Sequence, residues 1–180
     1  MRELHHYIEP FEPSAEEIRF SCCFTGHRDF EPTAENLIAL RTAVEELASR
    51  GVRLFYEGGA EGFDYHAART VQQLKAVWPH LRVICAEPFV RPCRHRDAAD
   101  EIIYVSPRYT DNSVFHIRNR FMVDRAAYVI AYAIRHGGTF ETLKYAHSLG
   151  RNIRNTACHR PFSTAVDGLY LEPSKRETSY

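Results

Sequence analysis

The sequence has no excess of either charge: Lys+Arg and Asp+Glu number 23 each. That balance argues against a strongly basic nucleic-acid surface and leaves room only for a local patch, so nucleic acid is not expected as a partner. No run of about 18 apolar residues occurs, and no membrane-spanning helix is expected. Met1 to Pro13 is polar and acidic with no apolar h-region, so no signal peptide is expected and the chain reads as cytoplasmic. No internal repeat at a period of about 20–50 residues is visible. The five cysteines are odd in number, and Cys22, Cys23 and Cys85 lie inside apolar, strand-like runs. That pattern fits reduced thiols in a core, not a disulfide frame. Cys93 and His95 are of metal-ligand type, but no second pair with ligand spacing accompanies them. Neither a metal site nor a cofactor is therefore expected.

The chain does hold enough apolar side chains for one core, at 44% hydrophobic over 180 residues. Residues 1–18 read as an N-terminal extension, 19–155 as one folded domain and 156–180 as a C-terminal tail. Within the domain, strand and helix patterns alternate. Phe20–Thr25 is an apolar run ending at Gly26, the pattern of a buried strand. Thr33 then caps a helix whose Leu37, Leu40, Val44 and Leu47 form one stripe, and Gly51 ends it. Further strands are predicted at Val52–Tyr56, Leu81–Ala86, Ile102–Val105 and Ala126–Ala133, with a short sixth at Asn152–Arg154. Helices are predicted at Phe63–Val77, Val114–Arg125 and Phe140–Leu149. Residues 88–101 are irregular, and their Arg91, Arg94, His95 and Arg96 read as a solvated basic loop, a lid or a partner-facing loop. The alternation predicts an α/β, Rossmann-like three-layer sandwich with a mostly parallel sheet.

Six of the nine glycines, Gly26, Gly58, Gly59, Gly62, Gly137 and Gly138, follow the carboxyl ends of predicted strands. In a parallel sheet those ends share one edge, where ligands of open α/β sheets bind. Helices begin after two of these loops, and helix N-termini favour anions. Around the glycines stand Thr25, His27, Arg28, Ala60, Asp64, Arg118, Asn119 and Thr139 as candidate ligand-binding residues. Arg28 either pairs with a phosphate through its planar fork or makes a surface salt bridge. His27 either meets the ligand or fixes its loop through the backbone. Arg118 either clamps phosphate or ribose, or pairs with Asp124 or Glu141. Asp64 is either an acceptor for a ribose hydroxyl or a first-turn acid, and Thr139 is either a ligand contact or a helix cap.

Four segments in this order resemble one family. They are Cys22-Cys23-Phe24-Thr25-Gly26-His27-Arg28, Glu57-Gly58-Gly59-Ala60-Glu61-Gly62-Phe63-Asp64, Arg118-Asn119-x-x-Met122-Val123-Asp124, and Gly137-Gly138-Thr139. Together they look like the bacterial YpsA-like branch of the SLOG superfamily, over about residues 19–154. The resemblance implies a Rossmann-like fold related to DprA and to the LOG phosphoribohydrolases. It implies binding or sensing of a nucleotide-derived small molecule, such as a nucleotide or an ADP-ribose-like ligand. It also allows a homodimer, which no stripe in this sequence establishes.

Two alternatives follow from the same resemblance. Gly138-Thr139-Phe140-Glu141 has the Gly-Thr-x-Glu spacing of LOG enzymes, with Arg118 on the preceding helix. If the chain is a hydrolase, Glu141 and Arg118 are its catalytic residues, releasing free base from nucleoside 5′-monophosphates. The proline and extra glycine of the LOG motif are missing before Gly137, and Asn119 stands where LOG enzymes have lysine. The second alternative is a DprA-like nucleic-acid or protein interaction module.

Overall fold

A computed structural model describes residues 6–7 and 12–165. Seven parallel strands form one sheet: β1 (His6–Tyr7), β2 (Ser21–Gly26), β3 (Leu54–Glu57), β4 (Arg82–Glu87), β5 (Glu101–Tyr104), β6 (Tyr128–Tyr132) and β7 (Asn152–Asn155). Their spatial order is β1-β5-β4-β3-β2-β6-β7. The helices are α1 (Ala15–Arg19), α2 (Ala34–Ser49), α3 (Phe63–Leu74), α4 (Ser113–Asp124) and α5 (Gly138–Ser148), followed by a 3-10 turn at Thr156–Cys158. α2 packs beside α3, and α4 beside α5. This is the predicted α/β Rossmann-like sandwich.

Side-chain alternation along the strands divides the core in two. Cys22 and Phe24 join Phe55, Phe63, Leu40 and Leu47 on the α2–α3 face, whereas Cys23 joins Met122, Leu143 and Ile153 on the α4–α5 face. Burial on both faces explains why the strands read as continuous apolar runs. Thr33 caps α2, accepting from the Asn36 N–H at 3.2 Å, and Gly51 follows the helix at φ 90°.

Most strand and helix ends fall within two residues of the sequence reading, and three places differ by more. The span 1–18 is not a featureless extension. It supplies β1, which pairs with β5, and α1, which opens on a Ser14–Glu17 capping box. Two residues are too few to show a strand period, and so six strands are predicted where the described residues form seven. At the other end, 156–165 is tied to the sheet: Thr156 Oγ1 donates to the Ala131 carbonyl at 3.0 Å, and Ser163 bridges Ile153. The rest of the predicted tail, 166–180 with Gly168, lies outside the described residues. Finally, α3 stops at Leu74, three residues short of Val77.

The chain runs from β2 to β3 on one side of the sheet's centre and reaches β6 on the other. Strand order therefore reverses between β2 and β6. The loops that leave their carboxyl ends diverge there and open a crevice, the usual ligand position in such sheets.

Candidate functional site

A cleft of about 350 Å³ opens at that reversal. Thr25, Gly26, His27 and Arg28 line it from the end of β2, and Ala60 and Asp64 from the β3–α3 loop and α3. Arg118 and Asn119 enter from α4, and Gly137, Gly138 and Thr139 from the start of α5. Gly58 and Gly59 line a smaller adjoining cleft of about 160 Å³, which shares Arg28, Ala60 and Arg118 with the first. Gly62 lines neither: a Cβ there would fall 2.2 Å from the Arg28 carbonyl oxygen, and its φ is +76°. This glycine lets two loops touch.

The three glycine loops have different jobs. A Cβ at Gly26 would strike the Phe63 ring at 2.3 Å, so this glycine makes room for the core. The Gly58 N–H donates to Asp64 Oδ2 at 3.1 Å, and the Gly59 N–H to Glu57 Oε2 at 2.7 Å. The protein's own carboxylates therefore occupy the two N–H groups expected to cradle a phosphate. That corrects the sequence reading of this loop, and the cause is local: acids stand one residue before and six residues after Gly58. The β6–α5 loop is different. Among the described residues nothing lies within 4 Å of a Cβ at Gly137 or Gly138, and no side chain caps α5. Its first N–H groups have no intrahelical acceptor. Gly137, at φ 144°, is the N-cap, so Thr139 sits inside the first turn and is not the cap.

Arg118 is the buried cation of the cleft, 6% exposed. Its Nε donates to Asn119 Oδ1 at 2.7 Å, Asn119 Nδ2 donates to Thr142 Oγ1 at 3.0 Å, and Thr142 Oγ1 donates to the Gly138 carbonyl at 2.8 Å. That chain ties α4 to the open glycine loop. Arg118 Nη1 is buried with no hydrogen-bond partner among the described residues. The side chain crosses Gly58, where a Cβ would fall 2.3 Å from Nη1. Arg118 pairs with neither Asp124 nor Glu141; Asp124 accepts from the Tyr145 hydroxyl at 2.6 Å.

Asp64 is buried, and its Oδ1 has no hydrogen-bond partner among the described residues. Burial first, and the charge of Glu57 second, push its carboxyl up to about 7, against the pull of Arg118. His27 is buried, and its Nε2 accepts from the Ile134 N–H at 3.1 Å, joining the β2 and β6 loops. Burial, then Arg135, lower its pKa. Arg28 is exposed and has no ion pair among the described residues.

Glu141 stands outside the main cleft. It is exposed, pairs with Lys144 at 2.8 Å and borders a separate cavity of about 150 Å³. Sequence reasoning missed Phe115, His116, Arg135 and His136, which also line the main cleft. Phe115 and Met122 bracket Arg118 at helical spacing on α4, the signal that marks one face. The basic segment also reads differently in three dimensions. His95 is buried against Glu57, and Arg91 pairs with Glu87 at 2.6 Å, so only part of it is solvated.

No family model matches the chain, and no curated protein matches it. Solved structures do. DprA from Streptococcus pneumoniae superposes with a TM-score of 0.57 at 16% identity, over 74% of this chain and 48% of that one. The fold is the Rossmann-like fold of DprA. The DprA of Helicobacter pylori, described by its single-stranded DNA binding mode, gives a TM-score of 0.56 at 20% identity over 78% of this chain and 67% of its own. The molybdenum cofactor carrier protein of Chlamydomonas reinhardtii gives 0.53 at 14% identity over 75% and 74%. The chain thus spans about half the length of the pneumococcal DprA. These likenesses concern fold. One of the neighbours binds single-stranded DNA, so they lend no support to the expectation that nucleic acid is absent among partners. No helix among the described residues is long and apolar enough to cross a membrane.

Proposed function

We propose that this chain is a SLOG-superfamily module of the YpsA-like branch that binds a phosphate-bearing, nucleotide-derived ligand at the β2–β6 crevice. The observation that carries the reading is the pairing of an uncapped α5 N-terminus with the unsatisfied Nη1 of buried Arg118 across one cleft. Helix N-termini and guanidinium groups both favour phosphate, and the low-dielectric position of Arg118 strengthens its pull. Arg28 adds an exposed cation at the rim. The volume, about 350 Å³, falls in the usual range of small-ligand pockets, ~300–1,000 Å³.

Asp64 supplies the acceptor for a ribose hydroxyl through its unpartnered Oδ1. The phosphate sits at Gly137–Thr139, not at Gly58–Gly62, because the latter N–H groups are already bonded. A LOG-type hydrolase gains nothing from this geometry: its candidate acid, Glu141, borders another cavity and is paired with Lys144.

The test is native mass spectrometry of the purified chain, followed by a thermal-shift panel of nucleoside phosphates, ADP-ribose and short single-stranded DNA. A co-purified nucleotide or a shift with mononucleotides supports the reading. A shift with DNA alone overturns it in favour of a DprA-like role.

A further inference from the structure

On the sheet face that carries α2 and α3, ligand-type side chains from three places meet in one buried cluster. Register pairs Glu57 at the end of β3 with Cys85 on β4. Glu87 follows Cys85 by two residues and so projects to the same face. The segment 88–100 folds back over them and brings Cys93 and His95. Glu57, Cys85 and Glu87 are 0% exposed and His95 is 2% exposed. Glu57 Oε2 lies 2.9 Å from His95 Nδ1, and the Cys85 and Cys93 sulfurs are 3.5 Å apart. The ligand atoms of Glu57, Cys85 and His95 all fall within 4.8 Å of one another, as do those of Cys85, Glu87 and Cys93.

Two physical facts point to a cation here. Glu57 Oε1 and Glu87 Oε1 are buried without a hydrogen-bond partner among the described residues. Each carboxylate is bonded through Oε2, Glu57 to His95 and the Gly59 N–H and Glu87 to Arg91, so Oε1 is the atom left for a cation, a buried polar atom being costly without a partner. The donor set, two thiols, one imidazole and carboxylate, is that of zinc, and two thiolates on a tetrahedral zinc lie ~3.8 Å apart given Zn–S bonds of ~2.3 Å. The two triads share Cys85, and we propose that Cys85, Cys93, His95 and Glu57 bind one Zn²⁺, the segment that carries Cys93 and His95 drawing in on the ion, with Glu87 beside the sulfurs. Zinc releases the two thiol protons to solvent, so affinity rises with pH. Four protein ligands make the site structural: it ties the 88–100 segment to β3 and β4, directly beneath the Gly58–Gly59 loop.

Sequence spacing hides this site, because the ligands come from positions 57, 85, 93 and 95 with no paired motif. The test strips the full chain with a chelator under reducing conditions and titrates it with Co²⁺, then with Zn²⁺ against a chromophoric chelator. The expected result is one Co²⁺ per chain with near-ultraviolet sulfur-to-cobalt absorbance, displaced by one Zn²⁺. Cys93→Ser, at a half-buried position, loses roughly tenfold or more in Zn²⁺ affinity and much of that absorbance. Cys158→Ser changes neither. Wild-type Co²⁺ spectra without a thiolate band overturn the proposal even if the variant fails to fold. So does a band that Cys93→Ser leaves intact, or a Cys85–Cys93 disulfide that persists in reductant-free protein supplied with zinc.

Discussion

A Cβ at residue 58 would fall 2.3 Å from Nη1 of Arg118. The guanidinium thus lies directly across the Gly58 backbone, inside the protein, with Asp64 on the same side. The β3 loop serves chiefly to seat this cation. Gly58→Ala displaces Arg118 from that position. Ligand affinity is expected to fall by at least tenfold, about 1.4 kcal/mol, as read by calorimetric titration. Unchanged affinity in a folded variant contradicts the role given to Arg118.

Gly62 and Gly138 separate packing from binding. Gly62→Ala places a Cβ 2.2 Å from the Arg28 carbonyl at a backbone φ of +76°. A left-handed non-glycine residue costs ~1–2 kcal/mol before any clash, so the thermal midpoint should drop by several degrees. Gly138→Ala meets nothing within 4 Å. It should leave the midpoint unchanged or raise it, since alanine lowers the conformational entropy of the unfolded chain and so stabilises by ~0.4–1 kcal/mol. Its methyl group nevertheless crowds the phosphate position, so ligand affinity falls. Thermal melts with and without ligand check both variants.

Glu141→Ala provides the opposite contrast. The side chain is exposed and its only ion pair among the described residues is with Lys144, of the i,i+3 kind worth ~0.2–0.5 kcal/mol. Stability and ligand affinity should both hold within experimental error. A large loss of affinity in a calorimetric titration argues for the LOG-type arrangement instead.

His27 gives a pH signature. Its Nε2 accepts from the Ile134 N–H, which requires the neutral ring. Burial and Arg135 hold its folded pKa below the ordinary 6.5, while Asp29 pulls weakly the other way. As pH falls, the unfolded chain therefore takes the proton first. The stabilisation is complete above 6.5 and is lost as pH drops through 6.5 toward the folded value. The wild-type advantage over His27→Asn should shrink between about pH 7.5 and 5.5. Denaturant titrations at both pH values check it, and an NMR titration of the ring should give a midpoint below 6.5.

Much of this architecture was legible because each strand is buried on both faces and each helix keeps one apolar stripe. Cys22 to Thr25 and Val129 to Ala131 could be read without any tertiary knowledge. β1 could not, since a two-residue strand carries no period. The position of the cleft was legible too, because Gly26, Gly58 and Gly137 lie at or after the carboxyl ends of β2, β3 and β6. The division of labour among those glycines was not. It depends on Glu57 and Asp64 folding back onto the Gly58 and Gly59 N–H groups, and on Phe63 filling the space beside Gly26. Nor does any local pattern foretell that His95, in a basic run, is buried against Glu57 from 38 positions away.

The most direct measurement is a thermal melt of wild type and Arg28→Ala with a nucleoside phosphate or ADP-ribose in large excess. Arg28 is exposed and unpaired among the described residues, so its removal should move the ligand-free midpoint little, within ~0.5 kcal/mol. At a ligand concentration ~100 times Kd, wild type should gain ~2.7 kcal/mol, about 5–10 °C for a chain of this size. The shift should be clearly smaller in Arg28→Ala. No shift in wild type with any phosphate-bearing ligand at millimolar concentration, or equal shifts in both proteins, contradicts a phosphate site at the β2–β6 crevice.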